Sequence, residues 1–183
     1  MPGSGKSLVA SVARGLGIKV YTMGDVVREE ARRRGVEPTP SNLNRLARLL
    51  REEQGEDVIA RKILESITRD TPRIAVVDGV RSLQEVKTLQ GYGRTIIVAV
   101  HASPATRYER LRSRGRPGDP ESWEEFAQRD LTELAFGLGS VIALADYMLV
   151  NELDKKHLER EAKHLLSTIV ESLARDDSVG RKN

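Results

Sequence analysis

A chain of 183 residues with 39% hydrophobic content is long enough for one domain with a real core and too short for two of ordinary size. With no cysteine and three scattered histidines (His101, His157, His164), it offers neither a disulfide framework nor a zinc site. No apolar run approaches ~20 residues, so a soluble, cytoplasmic protein without a membrane partner is expected, and a formal charge of only +3 gives no reason to expect nucleic acid.

The chain opens MPGSGKS, the last seven residues of the phosphate-binding pattern GxxxxGK[ST], directly before a helical run. In that pattern backbone amides cradle phosphates, the lysine reaches the terminal ones and the hydroxyl ligates Mg²⁺. Gly3, Ser4, Gly5, Lys6 and Ser7 are therefore the candidate donor-phosphate residues, with Ser7 also a candidate metal ligand. LVASVARGLG has helical spacing and stops at Gly15 and Gly17; IKVYTM reads as a short strand.

A helix is expected from about Gly24 to Arg34. Thr39 and Pro40 then give a cap and first-turn signal for SNLNRLARLLREEQG, whose Leu43, Leu46, Leu49 and Leu50 form one apolar stripe. DVIARKILESITRD is a further helix, and RIAVVDG a continuous apolar strand of the kind covered on both faces in a parallel sheet. SLQEVKTLQ is helical and RTIIVAV a buried strand. SPATRYERLRSRGR starts as a helix and breaks into the turn-rich GRPGDP, after which ESWEEFAQRDLTEL resumes one. VIALA is short and apolar, DYMLV a last strand, and a helix from about Asp154 to Arg175 leads into a polar, frayed tail. Strands alternating with helices predict an α/β domain with a parallel sheet.

Asp78 ends a predicted strand, where a carboxylate can organise Mg²⁺ beside phosphates. Arg28 in GDVVRE and Arg81 in DGVRS lie just past strand ends, the ligand edge of open α/β sheets, and two guanidinium groups converging there suit a phosphate. Asp25 is the one nearby carboxylate for an acceptor hydroxyl. The chain has 22 Arg against 8 Lys, and arginine is the residue suited to forked phosphate recognition. Arg107, Arg110, Arg112, Arg114 and Arg116, followed by Arg129, could close over a nucleotide, with Arg110, Arg114 and Arg129 the chosen candidates. Arg32 to Arg34 are read as complementing a helix end, His101 as a satisfied polar residue, and Trp123, Phe126 and Phe136 as packing.

The order MPGSGKS, GDVVRE, VVDGVR, RYERLRSRGR, AQRD and ADYMLVNE resembles the nucleoside monophosphate kinase branch of the P-loop kinases, with adenylate kinase its best-known member and dephospho-coenzyme A kinase similar near the last strand. More narrowly, GDVVREEA, HASPATRYERL and VIALADYM resemble the adenylate-kinase-related family found largely in archaea. The resemblance implies a three-layer α/β/α fold with a parallel sheet of order 2-3-1-4-5, an acceptor-binding insert at about 24–70 and a short lid at about 115–136 within a single 1–183 domain. It implies ATP and Mg²⁺ as cofactors and small-molecule nucleotides as partners. Lys6, Arg114 and Arg129 would serve phosphoryl transfer; Arg110 and Asn151 would border the donor base; Arg28 and Arg81 would hold the acceptor phosphate, although Arg81 lacks the proline that precedes its counterpart.

The implied activity is transfer of the γ-phosphoryl group of ATP to an AMP-like monophosphate. A nucleotide-binding regulator or slow ATPase, and a dephospho-coenzyme A or nucleoside kinase, are the alternatives. The same sheet order puts a strand before the phosphate loop, in the middle of the sheet. A natural polypeptide beginning roughly 7–10 residues earlier, with a strand and a glycine, is the expectation.

Overall fold

The computed structural model describes residues 1–180. Helix α1 (Lys6–Gly15) is followed by β1 (Lys19–Thr22), α2 (Met23–Arg33), α3 (Pro40–Gln54), α4 (Val58–Asp70) and β2 (Ala75–Asp78). Then come α5 (Leu83–Tyr92), β3 (Val98–His101), α6 (Pro104–Arg114), α7 (Trp123–Ala135), α8 (Leu138–Ala143), β4 (Tyr147–Val150) and α9 (Lys155–Gly180). Several helix starts are written locally. The Thr39 hydroxyl accepts from the Asn42 amide at 3.2 Å with Pro40 in the first turn, and Ser82 and Ser122 cap α5 and α7 in the same way.

The start of VIALA, Val141–Ala143, closes a short helix, α8. One expectation changes. The backbone of α9 continues to Gly180, past the frayed end expected near Arg175, while the last residues of that tail, 181–183, lie outside the described residues.

The strands form two parallel pairs instead of one sheet. β1 pairs with β2, Lys19 opposite Ala75 through Thr22 opposite Asp78; β3 pairs with β4, Val98 opposite Tyr147 through His101 opposite Val150. Each pair has its own apolar cluster. Met23, Val27, Leu46, Leu50, Ile59 and Ile63 pack α2, α3 and α4 together beside the first pair. Val100, Leu149, Leu158 and Ala162 join the second to α9, with α1 against them.

Between the pairs runs a cavity of about 510 Å³, walled by Ala75–Val80 on one side and Thr95–Val100 on the other and floored by α1, α8 and α9. Its end reaches Met1 and Lys6. This explains why all four residues of β2, expected to be fully covered, are only half-buried: the edge turned to β3 has no neighbour. No described helix is long and apolar enough to cross a membrane.

Candidate functional site

Residues 1–7 curl into a loop at the N-terminus of α1, and two glycines make the curl possible. Gly3 (φ +79) and Gly5 (φ +106) occupy the left-handed region that side chains disfavour. Space excludes side chains as well: a Cβ on Gly3 would lie 2.8 Å from the Arg107 carbonyl oxygen, and one on Gly5 would lie 2.5 Å from Asn151 Nδ2 and 2.8 Å from Leu158 Cδ2.

Distant parts of the chain hold the loop from behind. Arg107 Nη1 donates to the Pro2 carbonyl at 3.2 Å and Asn151 Nδ2 to the Ser4 carbonyl at 2.8 Å, while from the loop's own helix Lys6 Nζ donates to the Met1 carbonyl at 2.9 Å. On the front, the amides of Gly5, Lys6 and Ser7 have no acceptor among the described residues, the first bonded amide of α1 being that of Leu8, which returns to Gly5 at 2.9 Å. Buried Ser4 Oγ is likewise without a protein partner. Unsatisfied donors at a helix N-terminus fit an anion, and a phosphate is the anion this loop geometry suits. The residues present thus fit a nucleotide's phosphates.

Charged groups converge on Lys6. Burial is the main cause pushing its ammonium below the ordinary lysine range; Asp78 and Glu133 oppose that shift and Arg81 adds to it. Asp78 is therefore where the sequence placed it, at the end of β2 in the field of Lys6, with the Ser7 hydroxyl exposed on the first turn of α1. A hydroxyl and a carboxylate of this kind can hold Mg²⁺ together with waters and phosphate oxygens. The Met1 amino group shares the site; burial, then Lys6 and Arg107, lower its pKa to about 5.

Arg81 belongs to the same cluster. Its Nε lies 3.3 Å from Glu133 of α7, its guanidinium carbon 6.0 Å from the Phe136 ring centroid, and its amide donates to Glu85 at 2.8 Å. Glu85 is fully buried and paired at 2.9 Å with buried Arg51, which covers Phe136 at 5.2 Å. Arg28 has a different setting: it pairs with Asp25 at 2.6 Å on the exposed face of α2.

The remaining candidates either anchor the loop after β4 and the opening loop or gather around Asp119. Arg110 donates to the backbone oxygens of Asn151 (2.9 Å) and Leu153 (3.0 Å), and buried Asn151 faces the loop's back through Ser4. Arg107 is buried against Asp130 (2.8 Å), the Ala102 carbonyl (3.1 Å) and the Phe126 ring (4.9 Å). Arg114 and Arg129 both close on Asp119, Arg129 also donating to the Gly118 carbonyl at 3.0 Å. Arg112 and Arg116 are exposed.

The loop between α6 and α7 touches the start of α3, since a Cβ on Gly118 (φ +82) would lie 2.5 Å from Pro40 Cγ. Trp123 and Phe126 pack with Tyr108 at its base, at 5.4 and 5.6 Å from that ring. Sequence reasoning missed Glu133 and the Arg51–Glu85 pair. The available signal for Glu133 was its spacing from Asp130 and Arg129 on one helix, which sets all three near one face.

Residues 1–127 match the family described as the AAA domain. A UPF0200 protein of Hyperthermus butylicus is 68% identical over 169 residues, covering 92% of this chain and 91% of that one. One from Staphylothermus marinus is 53% identical over 178 residues (97% and 94% covered), and one from Thermococcus onnurineus 45% over 175 (93% and 95%). The crystal structure of TT1252 from Thermus thermophilus superposes with a TM-score of 0.59 at 22% identity, over 91% of this chain and 93% of that one, a likeness of fold. With a P-loop kinase-like domain over residues 1–127 and relatives matched along nearly its whole length, this chain is a member of the UPF0200 family.

Proposed function

We propose that the protein is a nucleotide kinase that transfers the γ-phosphoryl group of ATP to a nucleoside monophosphate of AMP-like chemistry. The observation that carries this reading is the cluster at Lys6: free amides of Gly5, Lys6 and Ser7 on one side, Asp78 and Arg81 on the other. The amides and Lys6 bind the donor's phosphates, and Arg81 takes the acceptor phosphate at the far end. Arg28 joins it by leaving Asp25, an exposed partner whose loss is nearly neutral. Ser7 and Asp78 hold Mg²⁺, which when bound neutralises charge developing on the transferred group. A phosphate acceptor is already anionic at neutral pH, so the chain's residues need only align the two ends, exclude water and stabilise charge.

Arg129 belongs to the lid at about 115–136 that covers the donor; Arg114, at the end of α6 and drawn to Arg129 by Asp119, contacts the donor's phosphates, and α2 to α4 form the acceptor insert at about 24–70. Arg110 and Asn151 border the donor base from the α6 and β4 ends. A coupled assay with ATP over a panel of monophosphates, dephospho-coenzyme A and nucleosides tests the reading. Turnover greatest with a monophosphate is expected; no turnover with any of them removes it.

The same reading places one further parallel strand between β2 and β3, giving the order 2-3-1-4-5. The cavity walled by two unpaired strand edges and ending at Met1 supports it. Adding about seven residues before Met1, five of them β-branched followed by Thr-Gly, should raise the melting temperature by several degrees, on the scale of ~2–4 °C per kcal/mol for a chain of this size. Equal stability with and without the extension removes the strand.

A further inference from the structure

We propose that Glu133 is a positioning residue that presents Arg81 to the acceptor phosphate, an assignment resting on the kinase reading above. Arg81 is held at separate points. Its amide is tied to Glu85, which buried Arg51 fixes in turn; its guanidinium lies by Phe136; and Glu133 meets it at Nε, 3.3 Å away. The contact at Nε leaves the two terminal nitrogens, the edge that grips a phosphate with two parallel hydrogen bonds, without a hydrogen bond among the described residues. A flexible side chain thereby loses its freedom before the ligand arrives, which is how preorganisation strengthens binding.

Glu133 and Phe136 both come from the end of α7 and its cap, the helix that follows the lid loop. The start of that helix packs through Trp123 and Phe126 on Tyr108, and the loop before it meets Pro40 of the insert at Gly118. One helix therefore carries lid contacts at its first turn and the support of Arg81 at its last. Glu133 is also only slightly exposed, and its charge is felt at Lys6 as well as at Arg81. A carboxylate in that place has a competing explanation: it stands in for a phosphate and must be expelled. The two roles predict opposite signs.

The test compares the full chain with Glu133→Ala and Glu133→Gln, Gln keeping an acceptor oxygen but losing the charge. Steady-state kinetics with AMP and ATP are read beside the ¹⁵N–¹H signal of Arg81 Nε. Positioning predicts that Glu133→Ala raises KM for AMP about tenfold while KM for ATP and kcat change less than about twofold, and that Gln recovers most of the loss. The Nε proton should be protected from exchange in the parent and in the Gln variant, and exposed in the Ala variant. Tighter AMP binding in both variants overturns the proposal in favour of the placeholder. An Nε signal indifferent to substitution overturns it outright. A parent that neither turns over nor binds AMP, yet keeps Nε protected, defeats the kinase reading and with it the acceptor role, while leaving the Glu133–Arg81 contact itself established.

Discussion

Asn151, in the loop after β4, donates from Nδ2 to the carbonyl oxygen of Ser4 at 2.8 Å, joining residues 147 positions apart. With Arg107 bound to the Pro2 carbonyl, this contact makes the back of the phosphate loop a fixed surface, so the amides on its front face outward together.

That anchor can be tested by removing it or reversing its polarity. Asn151→Ala leaves the buried Ser4 carbonyl without its side-chain donor and should destabilise the fold by about 1–3 kcal/mol. Asn151→Asp sets an acceptor against an acceptor and should be worse. Gly5→Ala adds the strain of φ +106 to a contact of 2.5 Å with Asn151, and should abolish ATP binding even where the fold survives. Denaturant midpoints and ATP titration read both effects; ATP affinity unchanged in Gly5→Ala would show that the loop does not cradle phosphate.

The Arg51–Glu85 pair should matter more to stability than any exposed ion pair. Both side chains are buried, and Glu85 also receives the Arg81 amide. Truncating either partner strands a charge, with an expected loss of about 3–5 kcal/mol. The double variant Arg51→Met with Glu85→Gln keeps an acceptor for Arg81 and should recover part of that loss. Thermal unfolding of the three variants checks the order.

A polypeptide that begins at Met1, without the added strand, should become more stable between pH 5 and pH 8. The Met1 amino group has its pKa lowered from 8.0 to about 5, burial being the first cause. Between those values the unfolded chain binds more protons than the folded one, so raising the pH favours folding, by up to about 4 kcal/mol across the window. Lys6, also pushed below its ordinary value by burial, acts in the same direction at higher pH. Acetylating Met1 should flatten the slope between pH 5 and pH 8; urea midpoints of both forms provide the measurement.

The loop between α6 and α7 is held by Asp119, whose carboxylate pKa is lowered first by its hydrogen bond to Arg114. That contribution is present above the usual carboxylate range and is lost as pH falls through the lowered value. Asp119→Ala should speed tryptic cleavage after Arg114 several-fold while shifting the melting temperature by less than about 4 °C, since the loop lies outside both apolar clusters. Gly118→Ala, pressing on Pro40, should act in the same direction, with Trp123 fluorescence as a second reporter.

Local chemistry was legible without coordinates. The glycines and Lys6 of the opening loop, Thr39 and Pro40 before α3, the Leu46 and Leu50 stripe, and Asp78 closing a run of β-branched residues each follow from rules that operate over a few neighbouring positions. Such rules also fixed the alternation of strands and helices, hence an α/β domain.

Partnership between distant residues was decided only by the tertiary structure. Nothing in the order of the chain distinguishes Arg107, buried against Asp130 and the loop, from Arg112, which faces solvent on the same helix. Nor could it assign Asn151 to the back of Ser4 or Glu133 to Arg81. A guanidinium group pairs with whichever carboxylate or carbonyl the packed helices bring within about 3 Å, and that selection depends on how elements far apart in sequence stack, not on the residues beside it.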